Sequence, residues 1–314
     1  MADRLRSEAK ALPLSKQVLH ESAQVALVDV RCRPADHARG PEELSPTNDL
    51  VFPRTGVFLR HVHRADVVGD PSQVLFFRRD EPYRVSHPAR CGDDCTSFAF
   101  APSLLVEAVQ AHDPHVQDRP TQPFTFMQAP CPARAFLLHQ RIRQAARAET
   151  RDPLALDEAA IALLAAVLAH AYAGRDAPHV PARHSTRDAH RAQVEQVQVL
   201  LAQRFAESLA LDALAHAVHS SPFHLARLFR RETGLSLHQY RLRLRLCAAL
   251  ERLVEGEQDL TRLALELGFS SHAHFSDTFR RALGLAPSAC RRSLDARRLR
   301  ELSTNLKVAR AAPP

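Results

Sequence analysis

Ser221 and Ser271, His224 and His274, Phe229-Arg230-Arg231 and Phe279-Arg280-Arg281, and Gly234-Leu235 and Gly284-Leu285 each lie 50 residues apart. Paired arginines next to an apolar helical face suit contact with an anionic polymer, because guanidinium groups grip phosphate while side chains earlier on the same helix reach base edges. Helical spacing sorts each copy into two faces. Leu225, Leu228 and Phe229 fall inward in the first copy, leaving Phe223, Ala226, Arg227 and Arg230 outward. In the second, Phe275 and Phe279 fall inward, and His272, Ala273, Ser276, Asp277 and Arg280 outward. Arg227 is the best base reader, since its fork matches guanine O6 and N7, and Phe223 suits a thymine methyl. Arg230, Arg231, Arg280 and Arg281 read as backbone contacts, although an Arg pair at a helix end is often only a solvated terminus.

Other chemistry is less well formed. His61, His63, His87, Cys91 and Cys95 are candidate soft-metal ligands, and strand alternation would place His61 and His63 on one face. A Glu soon after the His pair is missing, and Cys-x3-Cys differs from the Cys-x2-Cys of strong zinc sites. The reading is therefore no metal and no cofactor, with these residues serving strands and turns. A Ser-His-Asp set can be assembled on paper from 18 histidines, but there is no nucleophile elbow or Gly-rich phosphate loop, and only nine glycines are available to build one. Catalysis is not expected.

Positioning the repeated residues requires two small helical units. Each copy holds an apolar helix of about eight residues, a short turn, and a second helix opened by a serine cap and closed by glycine, which is the helix-turn-helix pattern. Pro222 sits at the first helical position, where a missing N–H costs nothing. Residues 235–256 between the copies form a helix long enough to set the two second helices about one DNA turn, roughly 34 Å, apart. On it Arg241 and Arg245 share a face, and one of them is expected to meet phosphate or a buried carboxylate.

The rest of the chain reads differently. Val/Phe/Leu-rich segments at 23–30, 56–62, 72–77 and 95–100, separated by Gly/Asp/Pro turns, predict strands of a sandwich or small barrel. Residues 132–149 and 153–173 predict a helical pair. The second helix is apolar on more than one face, so Ile161, Leu163, Leu164, Val167 and Leu168 are expected to pack on their own domain and on a dimer partner. The fold class is α+β: a sensor and dimerisation domain at 1–173, a Pro-containing linker at 174–190, an all-α domain at 191–302, and a tail at 303–314. Residues 1–189 hold 23 basic and 23 acidic side chains, and 190–314 hold 19 and 12, so the net charge of +7 belongs to the helical part. No signal peptide and no membrane span are read, six sparse cysteines suggest reduced thiols, and the chain is expected in the cytoplasm.

Residues 192–293 resemble the DNA-binding domain of the AraC/XylS family of bacterial transcription regulators, in LDALAHAV, SPFHLARLFRRETGLS, YRLRLRLCAALERL and TRLALELGFSSHAHFSDTFRRALGLAPSACRRS. The resemblance implies groove-facing positions at Phe223, Ala226 and Arg227, and at His272, Ala273, Ser276 and Asp277. Asp277 departs from what a groove wants, since a carboxylate repels phosphate. The stretch GDPSQVLFFRRDEPYRVSHP with GDDCT is similar to the family's cupin-like sensor domain. The resemblance implies promoter DNA, RNA polymerase, a small-molecule effector and a second copy of the chain as partners. The competing reading is a cupin-type metalloenzyme or metal sensor with an accessory DNA-binding domain.

Overall fold

The computed structural model describes residues 14–34, 38–63, 65–88, 92–173, 184–291, 299–301 and 303–304. The N-terminal strands are β1 (Leu14–Glu21), β2 (Val25–Cys32), β3 (Glu43–Leu44), β4 (Asp49–Gly56), β5 (Phe58–Val62), β6 (Ala65–Gly69), β7 (Gln73–Phe77), β8 (Pro82–Ser86), β9 (Asp93–Phe100) and β10 (Gln128–Pro130). They form two antiparallel sheets, ordered β1-β2-β9-β4-β7-β10 and β3-β8-β5-β6. The helices are α1 (Pro102–Gln110), α2 (Ala133–Ala146), α3 (Pro153–Ala173), α4 (His184–Arg204), α5 (Leu211–Ala217), α6 (Pro222–Thr233), α7 (Leu237–Val254), α8 (Leu260–Glu266) and α9 (His272–Leu283).

Apart from its mostly exposed edge strand β1, the larger sheet is covered on both faces, and strand alternation sorts its residues by neighbour. Val28, Val30 and Cys32 of β2, Val51 of β4, and Asp93, Cys95 and Ser97 of β9 line a cavity of about 340 Å³ between the sheets. Leu27, Leu50, Phe52, Phe98 and Phe100 join the core that α2 and α3 complete. The same face of the sheet also carries the buried Asp29 and Arg54.

Helix α3 differs from expectation in what covers it. Leu163, Leu164, Val167 and Leu168 are at most 1% exposed inside this one chain, so these four are core residues and offer nothing to a dimer partner, while Ile161 is half-buried. The helix is also long and apolar enough to cross a membrane by length and composition, which the reading of no such segment missed; 56% of its apolar window is buried within the protein. Helix α4 begins at His184, inside the segment read as linker, while residues 174–183 lie outside those described.

The C-terminal helical part packs directly on the N-terminal part. Arg141 of α2 donates to the Cys290 and Ala289 carbonyls at 2.9 and 3.0 Å, and Arg191 of α4 donates to the Asp66 carbonyl at 3.1 Å. Leu246, Leu250 and Leu253 of α7 belong to the same hydrophobic cluster as α2 and α3.

Candidate nucleic-acid interface

Each copy of the repeat folds as its caps dictate. Ser221 accepts a hydrogen bond from the His224 N–H at 3.2 Å, and Ser271 from the His274 N–H at 3.1 Å, so each second helix starts with an orphan donor satisfied. Gly234 and Gly284 close these helices at φ 73° and 78°, a left-handed conformation that a side chain disfavours. Leu225 and Phe229 in α6, and Phe275 and Phe279 in α9, are fully buried.

The opposite faces are open. Phe223 is 73% exposed, Arg227, Arg230, Arg231, His272, Ala273, Asp277, Arg280 and Arg281 are exposed, and Ala226 and Ser276 are half-buried. A phenyl ring in water at the start of a helix is costly unless something covers it. The Arg227 guanidinium carbon lies 5.5 Å from the Phe223 ring centroid, so the two side chains stand together on the open face. On α9, Arg280 Nη2 donates to Asp277 Oδ1 at 2.6 Å, and His272 Nε2 lies 3.3 Å from Ser276 Oγ. Asp277 therefore occupies one of the cations expected to hold phosphate. Arg231 is paired in the same way with Glu232, Nε to Oε1, at 2.9 Å.

Helix α7 joins the copies, and neither Arg241 nor Arg245 meets a buried carboxylate among the described residues: both donate to backbone carbonyls. Arg245 Nε donates to the Phe205 carbonyl at 2.8 Å and its Nη1 to the Gly268 carbonyl at 2.6 Å, capping the chain just after α4 and α8. Burial, with Arg241 nearby, pulls its guanidinium below the usual arginine range. Arg241 donates to the Glu207 carbonyl at 3.3 Å. These two side chains tie the helix-turn-helix units together, leaving α6 and α9 to face solvent.

The sequence did not reveal how α7 is held to the N-terminal β-rich domain. Glu251, buried on α7, accepts from Arg54 Nη1 of β4 at 2.5 Å, from Arg143 Nη2 of α2 at 2.9 Å and from Gln140 Nε2 at 2.5 Å. Burial pushes its carboxyl up, against the lowering pull of Arg54 and Arg143. Asp29 completes the cluster, 3.6 Å from Arg54 and bonded to Arg147. One turn-rich loop adds a second tether: Tyr240 of α7 donates its hydroxyl to Asp70, and Gln198 of α4 donates to the Tyr240 oxygen at 3.0 Å. Glu251 shares a helix face with Cys247, Ala248 and Val254 at three- and four-residue spacing, and an ionisable residue on that apolar face was the available signal.

The candidate metal residues do not gather as the sequence suggested. Strand β5 ends at Val62, and His63 sits exposed in the following turn at φ 53°, off the face that His61 uses. His61 is held by Asp66 at 2.6 Å and Ser86 at 2.8 Å. Cys91 lies outside the described residues, while His87 and Cys95 are buried near Asp93.

Residues 214–293 match the family described as helix-turn-helix domain. The transcriptional activator RhaS of Salmonella schwarzengrund is 33% identical over 105 residues, which cover 33% of this chain and 38% of RhaS. The transcriptional activator RhaR of Pectobacterium carotovorum is 33% identical over 113 residues, 36% of this chain and 39% of RhaR. The bifunctional transcriptional activator/DNA repair enzyme AdaA of Bacillus subtilis is 28% identical over 98 residues, 31% of this chain and 46% of AdaA. The chain thus spans less than half the length of each of these relatives. Among solved structures, ToxT of Vibrio cholerae is 10% identical with a TM-score of 0.36, covering 85% of this chain and 97% of ToxT. An AraC-type DNA-binding domain protein of Chromobacterium violaceum is 28% identical with a TM-score of 0.29, covering 35% of this chain and 94% of that one. With its duplicated capped helices, the segment 214–293 is a helix-turn-helix domain, similar in sequence to the matching parts of the transcriptional activators RhaS and RhaR.

Proposed function

We propose that the whole chain is a cytoplasmic, sequence-specific transcription regulator that reads promoter DNA with α6 and α9 and answers to a small effector held between its two sheets. The observation that carries the reading is the pair of equivalent helices, each capped and packed alike, that expose Phe223 with Arg227 and His272 with Asp277 and Arg280. In this reading Phe223, Ala226, Arg227, His272, Ala273 and Ser276 face bases, and Arg230, Arg231, Arg280 and Arg281 hold the backbone. Helix α7 is 18 residues long, about 27 Å at 1.5 Å per residue, a length compatible with successive major grooves on one DNA face.

The cavity supports the sensing half of the proposal. Its apolar lining includes Val28, Val30, Val51, Phe58 and Phe77, with Lys16, Glu43, Asp49 and Tyr83 as polar groups, the mixture that orients a small ligand. Burial pushes the Asp49 carboxyl up, and its bonds from Thr47 and Ser45 work against that shift. A ligand there touches one face of β2, β4 and β9, and the Arg54–Glu251 contact with α7 uses the other. RNA polymerase and a second copy of the chain are the further partners in this reading, with the dimer contact away from the packed faces of α3. The protein is not an enzyme in this reading, and the matched relatives lend the metalloenzyme alternative no support.

Selection of bound sites from a random DNA pool tests the proposal. A recovered two-part motif, bound with an affinity that falls steeply as salt rises, is the expected result. A chain that recovers no motif, or binds all duplexes alike, overturns sequence-specific regulation.

A further inference from the structure

The end of the sensor cavity carries a group of side chains that regulation by DNA binding does not use. Cys32 closes β2 and stands opposite Asp93 of β9 in the strand register, and His87 follows β8 of the other sheet. One ligand atom from each of these three buried residues lies within 4.8 Å of the other two. We propose that Cys32, His87 and Asp93 form a metal site for a thiophilic divalent cation, Zn(II) by the chemistry of the set, with an open coordination position toward the cavity.

The donor types argue for that ion. One thiolate sulfur, one imidazole nitrogen and one carboxylate oxygen make a borderline-soft, tetrahedral set with three protein ligands, the arrangement that leaves a fourth position free. Metal–ligand bonds of about 2.0–2.3 Å separate tetrahedral ligands by roughly 3.3–3.8 Å, so closing the 4.8 Å envelope asks for a shift of about an ångström. The present contacts show what the ion replaces. His87 Nε2 lies 2.5 Å from Asp93 Oδ1, and the Cys95 thiol donates to Asp93 Oδ2 at 3.0 Å. Binding exchanges the Cys32 S–H proton for the cation and releases it to solvent, the proton between His87 Nε2 and Asp93 moves to the other ring nitrogen of a neutral His87, and Cys95 stays as a hydrogen-bond donor that orients the Asp93 carboxylate.

Location gives the site a consequence. Cys32 and Asp93 belong to the sheet that contacts α7 through Arg54, whereas His87 follows directly on β8 of the opposite sheet. An ion bound by all three pins the sheets together at one end of the cavity. Cys32, Asp93 and Cys95 also line that cavity, so a ligand with an oxygen or nitrogen donor can complete the coordination. Sequence spacing concealed the set, because Cys32 is 55 residues from His87 and was not among the candidates.

The test uses the full reduced chain after chelation, titrated with Co(II) and then Zn(II). The expected result is one equivalent of Co(II) with a thiolate-to-cobalt charge-transfer band, displaced by Zn(II), and a raised unfolding temperature with zinc. Cys32→Ser removes the charge-transfer band, and Asp93→Asn loses the zinc-dependent rise in unfolding temperature. X-ray absorption at the zinc edge of the wild-type chain needs no variant, and is expected to give one sulfur near 2.3 Å with nitrogen and oxygen near 2.0–2.1 Å. Failure of the wild-type chain to bind one equivalent, a shell without sulfur, or an unchanged band in folded Cys32→Ser overturns the site. The inference stands on the sensor domain alone, so its failure leaves DNA-site selection unaffected.

Discussion

Arg54 and Glu251, 197 residues apart in the chain, meet in the interior with Arg54 Nη1 2.5 Å from Glu251 Oε1. The contact joins the sheet that lines the cavity to α7, the helix between the two helix-turn-helix units. Arg54 also lies 3.6 Å from Asp29, and Arg143 Nη2 reaches the same Glu251 oxygen at 2.9 Å. Two cations and two carboxylates taken out of water are stable only as a set, because each desolvated charge relies on the others. The pair ties β4 directly to α7, with no other residue between them.

Removing one member should be worse than removing the pair. Glu251→Ala leaves Arg54 and Arg143 buried with one fewer carboxylate and is expected to cost about 3–5 kcal/mol. Arg54→Met with Glu251→Leu replaces charges by apolar volume and should recover part of that loss. Urea unfolding of the single and double variants measures the coupling. A double variant no more stable than Glu251→Ala would show that the network is not the tether between the domains.

Substitutions in α3 should act on folding and leave subunit association aside. Leu164 is fully buried and Val167 is 1% exposed, so a charge at either position has no partner and no route to water. Leu164→Ala is expected to destabilise by about 2–5 kcal/mol, and Leu164→Glu to prevent folding. Circular dichroism with sedimentation separates the outcomes: a folded, monomeric Leu164→Glu protein would restore the dimer face to α3.

The sequence was most readable where local rules and packing agree. Ser221, Ser271, Gly234 and Gly284 mark helix ends through short-range bonds, and Leu225, Phe229, Phe275 and Phe279 repeat with helical period, so the two units follow from their own residues. Strands were harder where the pattern is mixed. β1 exposes most of its length, β4 carries Pro53 and Arg54, and β8 opens on Pro82, none of which reads as an alternating strand. The cavity and the interdomain cluster depend on register and on residues far apart in sequence. Cys32 with His87, and Arg54 with Glu251, are brought together by tertiary packing, which periodicity does not encode.

Acid should weaken the fold through His139. Its ring is fully buried, stacked on Phe52 at 4.6 Å, and burial, with Arg54 and Arg143 nearby, holds its pKa well below the ordinary 6.5. Above pH 6.5 both folded and unfolded states keep this ring neutral. As pH falls below 6.5 the unfolded chain takes up a proton that the folded chain refuses, so stability drops by up to about 1.4 kcal/mol per pH unit. His139→Leu should flatten the acid side of a plot of unfolding temperature against pH. An identical slope in both proteins would assign acid sensitivity to other groups.

DNA reading and DNA gripping should separate at Arg227, Asp277 and Arg280. Arg227 stands beside Phe223 on the open face of α6, so Arg227→Ala is expected to lose about 1–3 kcal/mol of preference at one base pair while sparing affinity for other sequences. Arg280 is expected to touch phosphate, so Arg280→Ala weakens all duplexes about equally and reduces the salt slope by about one contact. Asp277 accepts from Arg280 at 2.6 Å in the free protein, so binding phosphate through Arg280 must first loosen that pair. Both side chains are exposed, which makes the pair weak in water and easy to exchange. Asp277→Ala frees Arg280 and removes a negative charge facing the backbone, so nonspecific affinity should rise and its salt dependence steepen. Titrations of the three variants against a selected site and a scrambled duplex, at two salt concentrations, distinguish the roles. Unchanged affinities for Asp277→Ala would mean that this face of α9 does not meet DNA, and the reading surface would then have to be rebuilt around α6.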